Sequence, residues 1–142
     1  MEKDITNRNQ QHYIIMTVIY DELNDFYLNG GKVFRDAREM TSEMCEVPYE
    51  EVPSFIKSTI ANALQNYGTI VTEVSKYLRA WKWERLPLLT RAIFMMSYSH
   101  FYYVENVDKK VVISIAVKLA KEYIDPEQAK FINAVLDKVL NK

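Results

Sequence analysis

The segment LPLLTRAIFMMSYSHFYYV at 86–104 is apolar on nearly every helical face, and few environments accept such a helix. It either crosses a membrane or forms the centre of a helical protein, wrapped by its neighbours. Pro87, Thr90, Arg91, Ser97, Ser99 and His100 interrupt the run, and no other segment supplies a second span. The run is therefore expected to be the axis of a protein core, with no membrane partner. Its methionines and aromatics read as packing rather than as a cofactor box. Three glycines in 142 residues cannot serve the many tight turns of a β domain, and elsewhere apolar residues recur at three- and four-residue spacing. The fold class is all-α.

The remaining helices follow from the same periodicity. Ile15, Val18, Ile19, Leu23 and Phe26 share one face of a helix near 6–28 that stops at Asn29-Gly30-Gly31, where glycine supplies left-handed geometry. A short amphipathic stretch near 33–44 follows and is broken at Val47-Pro48-Tyr49. Phe55, Ile56, Ile60, Ala63 and Leu64 mark a helix ending at Tyr67-Gly68, and Thr69 is expected to cap another running toward Trp81. Trp81, Trp83 and Arg85 form a connector between bundles: exposed, they could stack on bases, but clustered aromatics at a helix junction are expected to close a core. Lys110, Ser114, Lys118 and Lys121 fall in one stripe of a further helix, opposite Val112, Ile113, Ala116, Leu119, Ala120 and Tyr123. Asp125-Pro126-Glu127-Gln128 then gives an N-cap acid, proline at the first helical position and capping-box spacing. On this last helix Phe131 faces inward and Lys130, Asn133 and Asp137 face out.

The formal net charge of -1 conceals an uneven distribution, with -6 over residues 1–53 and +5 over residues 54–142. Such polarity suits one-sided steering of a phosphate backbone or an acidic protein. Apolar residues make up 49% of the chain, which excludes disorder, and the length suits one domain over residues 1–142. Catalysis finds no support. His12 and His100 are far apart in sequence and belong to no spaced metal motif, and no glycine-rich phosphate loop is present. Cys45 is alone, which rules out an internal disulfide, and with the polar start MEKDITNRNQQ it points to the cytoplasm. No cofactor or metal is expected.

The stretch DKKVVISIAVKLAKEY at 108–123, followed after a short turn by KFINAVLDK at 130–138, resembles the NusB family of bacterial transcription antitermination factors. That family shows a similar valine-isoleucine run, an A-x-x-L-A-K stretch and a K-F-x-N-G-V-L-D motif at the same spacing. The resemblance covers about a third of the chain. It implies about seven helices in two small packed subdomains, no catalysis, and binding of boxA-type RNA beside the ribosomal-protein partner NusE.

Departures accompany the match. The family's arginine-rich start to its first helix reads Asn7-Arg8-Asn9-Gln10-Gln11-His12 here, its I-N-E reads Ile113-Ser114-Ile115, and its Asn-Gly reads Asn133-Ala134. Phosphate neutralisation supplies much of RNA affinity, so loss of that cluster should weaken binding and make it strongly salt-dependent. The expected RNA surface comprises Arg8, Lys110, Lys118, Lys121, Gln128, Lys130 and Asn133 on a monomer or weak homodimer. The competing expectation is a protein-interaction adaptor that has lost most RNA contact. The depleted arginine cluster favours the adaptor, and the retained motif from Lys130 to Lys138 favours RNA.

Overall fold

The computed structural model describes residues 4–142, and every regular element among them is helical. Helix α1 spans Arg8–Leu28, with Asn7 as N-cap accepting from the Gln10 amide at 3.2 Å. It ends as its sequence requires: Gly30 and Gly31 take φ of +88° and +70°, and the Gly31 amide returns to the Phe26 carbonyl at 2.8 Å. Helices α2 (Arg38–Cys45), α3 (Ser54–Gln65), α4 (Tyr67–Ser75), α5 (Leu88–Ser99), α6 (Lys109–Tyr123) and α7 (Pro126–Val139) follow.

The axis is α5. Every residue from Thr90 to Phe101 is buried, and α5 contacts α1, α3, α4, α6 and α7. Helices α1, α2 and α3 form one packed group, while α6 and α7 lie along each other and α4 joins them. Both groups share α5, and their buried apolar side chains form a single connected core. Most of the polar residues that argued against a membrane span find partners inside the protein, Ser97 being the exception. Arg91 Nε donates to the Leu86 carbonyl at 2.9 Å, Ser99 Oγ to the Thr59 carbonyl at 2.8 Å, and Thr90 Oγ1 to Gln128 Oε1 at 2.7 Å. No helix among the described residues is long and apolar enough to cross a membrane.

Three features differ from the sequence expectation. The segment expected to begin a helix at 33 stays non-helical to Ala37. There Phe34 stacks on Phe26 with ring centroids 4.3 Å apart, and Arg35 reaches Asp21, Glu22 and Asp25 on α1. Helix α4 begins at Tyr67 and ends at Ser75, so Gly68 lies within its first turn and Thr69 is not its cap. Burial of Ile70 and Val74 outweighs the roughly 1 kcal/mol helical cost of glycine. The apolar run closes with a π-helical turn at His100–Val104. The aromatic connector also divides: Trp83 is buried and donates from Nε1 to the Tyr67 hydroxyl at 3.0 Å, whereas Trp81 is exposed.

The core position of α5 is testable. Phe94 is fully buried, and Phe94→Ala should cost about 3–5 kcal/mol by chemical denaturation. The Arg35 strap gives a second, pH-linked test. Burial, then the carboxylates of Asp25 and Asp36, push Glu22 up from 4.5 to about 7. Arg35 Nε lies 3.0 Å from one Glu22 oxygen, but its charge is shared with Asp21 and Asp25, and the other Glu22 oxygen is buried without a partner. Between those two pH values the folded protein holds a proton that the unfolded chain has released, so this group lowers stability as pH rises. Relative to the parent protein, Glu22→Gln should gain stability steadily from about pH 4.5 to 7 and then level off. A difference independent of pH would refute the assignment.

Candidate nucleic-acid interface

Helix α6 starts at the Asp108 N-cap, whose carboxylate accepts from the Lys110 amide at 2.8 Å. Helix α7 starts at Asp125, which caps the Gln128 amide at 2.7 Å, with Pro126 at the first helical position. Because only Ile124 and Asp125 separate the two helices, their outer faces run side by side and enclose a shallow groove of about 540 Å³. Lys110, Ser114, Lys118 and Lys121 line it from α6, and Asn133 and Asp137 from α7.

The groove is electropositive. Its single carboxylate, Asp137, is engaged by Lys109, whose Nζ lies 3.2 Å from Oδ1 and 2.9 Å from the Asp137 carbonyl. Among the described residues no ion pair holds Lys110, Lys118 or Lys121. Lys130 is exposed one turn before Asn133 on α7 and flanks the groove without lining it.

Arg8 and Gln128 do not join this surface. Arg8 makes a two-pronged contact with Glu105, at 2.7 and 3.2 Å, and its guanidinium lies 3.8 Å from the Phe55 ring centroid. Gln128 is half-buried, and its side-chain oxygen accepts from Thr90. That bond ties α7 to α5, so only the Asp125 half of the expected capping box forms. Phe131 is half-buried, with its ring centroid 6.1 Å from that of Phe94.

Sequence reasoning missed a second groove, of about 920 Å³, between the start of α1 and α6. Asn7, Gln10 and Tyr13 face Ser114, Lys118 and Tyr123 across it, and the two tyrosine rings lie 5.3 Å apart. Ser114 and Lys118 line both grooves, which makes α6 the ridge between them. Both lie in the lysine stripe, but the approach of α1 is a tertiary contact that no local pattern announces.

The two histidines, remote in sequence, meet between α1 and the π turn with ring centroids 5.7 Å apart. The π turn bonds the Glu105 amide to the His100 carbonyl at 3.2 Å, and the Glu105 carboxylate reaches His100 Nε2 at 2.8 Å. The Arg8 hydrogen bond, reinforced by His100, draws Glu105 down to about 2. Burial, followed by the charges of His100 and Arg8, lowers His12 to about 4, and burial also lowers His100. Both rings are neutral near neutrality. Among the described residues no three His, Cys, Asp or Glu side chains converge as metal ligands, and Cys45 is buried. The cluster therefore fixes the start of α1 against α3 and the π turn, which is a structural role.

The NusB family model matches residues 14–141. Transcription antitermination protein NusB of Bacillus thuringiensis (strain Al Hakam) is 30% identical over 90 residues, covering 63% of this chain and 69% of that protein. The same figures hold for the Bacillus cereus (strain B4264) protein of that name. T. maritima NusB superposes with a TM-score of 0.73 at 19% identity, covering 99% of this chain and 92% of that one. A chain in the crystal structure of antitermination factors NusB and NusE in complex with dsRNA gives 0.73 at 19% identity, covering 94% and 95%. These structural likenesses concern the fold, while the family model spans nearly the whole helical core: the chain belongs to the NusB family.

Proposed function

We propose that this protein is a non-catalytic, cytoplasmic scaffold of transcription antitermination that joins boxA-type RNA to a NusE-type ribosomal protein. The observation that carries the RNA side is the α6–α7 groove, where Lys110, Lys118 and Lys121 stand without ion-pair partners beside Asn133. Lys130 extends that charge along α7. Lysine ammonium groups act as point charges on phosphates, so the groove fixes affinity and register more than sequence choice. Arg8 is withdrawn from this role because Glu105 and Phe55 hold it. The family relationship and the solved complex containing NusB, NusE and dsRNA support the choice of partners. The chain would act as a monomer or weak dimer.

Binding of a boxA-type RNA should weaken steeply with salt, and each lysine removed should flatten the slope by roughly 0.7–0.9 of a charge. Lys118→Glu and Lys130→Glu should each reduce affinity several-fold at low salt and much less at high salt, without loss of helicity by circular dichroism. RNA should bind more tightly to the pair with a NusE-type protein than to either alone. Recovery from cytoplasm of a ribonuclease-insensitive complex lacking any NusE-type protein would overturn this function in favour of an adaptor. Arg8→Ala separates fold from function: it should cost about 0.5–1 kcal/mol of stability and leave the salt slope unchanged.

A further inference from the structure

The turn between α4 and α5 holds an aromatic shelf in water. Trp81 is 55% exposed and Tyr77 is 40% exposed. The exposure does not come from a loose segment. Leu78 and Trp83, on either side of Trp81, are buried in the core. Backbone bonds from Tyr77 to Val74, Leu78 to Ser75 and Trp81 to Leu78, at 3.0, 3.3 and 3.1 Å, close the turn. Between the buried Leu78 and the exposed Trp81, Arg79 takes a left-handed φ of +56°, a strained conformation for a side chain with a Cβ. A large apolar ring fixed outward by buried anchors is a preformed contact surface.

The far wall of the shelf is α7. Tyr77, Arg79 and Trp81 face Phe131, Ala134 and Lys138 across a depression of about 370 Å³. Arg79, Lys82 and Lys138 are exposed, and among the described residues none is held in an ion pair, whereas Lys76 is paired with Glu73. Glu84 is the only acid in the connector between α4 and α5, and Arg85 follows it. A rigid indole ringed by uncommitted cations has the chemistry that single-stranded nucleic acids meet: a face for the base and charges for its flanking phosphates. Helical spacing also sets Ala134 and Lys138 beside the face of α7 that carries Lys130 and Asn133. The shelf and the lysine groove therefore meet across one helix.

We propose that Trp81 is a base-stacking platform for single-stranded RNA, extending the α6–α7 groove over α7 so that one unpaired base lies on the indole between Arg79 and Lys138. This inference rests on the groove being the RNA surface. The probe is a short oligoadenylate strand, titrated at two salt concentrations against the parent protein, Trp81→Ala, Trp81→Phe and Lys118→Glu, with helicity confirmed for each. Trp81→Ala should weaken binding about tenfold with the salt slope unchanged, because stacking releases no counterions, and Trp81→Phe should retain most of the affinity. Binding should quench the exposed indole of the parent, while Trp83, buried, stays silent in Trp81→Ala. Parent-like binding by Trp81→Ala alongside weakened Lys118→Glu would overturn the platform and leave the groove standing. Failure of the parent to bind, or binding indifferent to both substitutions, would overturn the platform and the groove together. If Trp81→Ala spared RNA and instead lost a NusE-type ribosomal protein, the shelf would be a protein-docking surface and the platform would be wrong.

Discussion

Desolvation of α5 on every side is the constraint on which the rest of the molecule depends. A helix with no solvent face must have every polar group it carries satisfied by another element, or it loses stability for each one left over. Thr90 recruits Gln128 from α7, Ser99 recruits the α3 backbone, and Arg91 turns back on the Leu86 carbonyl. His100, just beyond α5, recruits Glu105, and Glu105 in turn holds Arg8. The chain of satisfaction runs outward from the axis and consumes surface residues as it goes. Where it stops short, at Ser97 Oγ and His12 Nδ1, the atoms are buried without a partner. The core thus decides which polar groups are already engaged within the fold, and Arg8 and Gln128 are among them.

That ordering explains what was legible in the sequence. The central position of 86–104 followed from its own composition, because an all-round apolar helix with scattered polar residues has few places to go. The stop at Gly30-Gly31 and the start at Asp125-Pro126 were equally local, each set by φ preference and capping. The stripe of Lys110, Ser114, Lys118 and Lys121 followed from helical geometry alone, and the structure gathers it with Asn133 in one groove. Local patterns failed where long-range partners intervene. Nothing near Gln128 announces Thr90, nothing near Arg8 announces Glu105, and Phe34 leaves the helical pattern because Phe26 offers it a stacked ring. Trp81 and Trp83 look alike in sequence, yet Trp83 fills the core while Trp81 stands in solvent.

The charge asymmetry takes on physical meaning in the same way. On α1, Asp21 and Asp25 are gathered with the proton-holding Glu22 around Arg35, so acidic charge in the front of the chain is held against the fold. In the back, Lys110, Lys118 and Lys121 project from α6 without fixed counterions among the described residues. A near-zero net charge therefore coexists with a positive face able to attract phosphate over roughly a Debye length, about 8–10 Å at moderate salt.

Such a face sets affinity but not choice. Lysines neutralise phosphates irrespective of the base attached, and single ammonium charges lack the forked donors with which arginine addresses a guanine edge. Among the side chains lining the α6–α7 groove, Asn133 alone carries an amide with both donor and acceptor in fixed geometry. Held on a regular helix two turns from the Asp125 cap, it has a defined position that the flexible lysine stems lack. For an RNA seated in this groove, discrimination between bases would have to come from groups of that kind, because long-range attraction cannot distinguish one phosphate from the next.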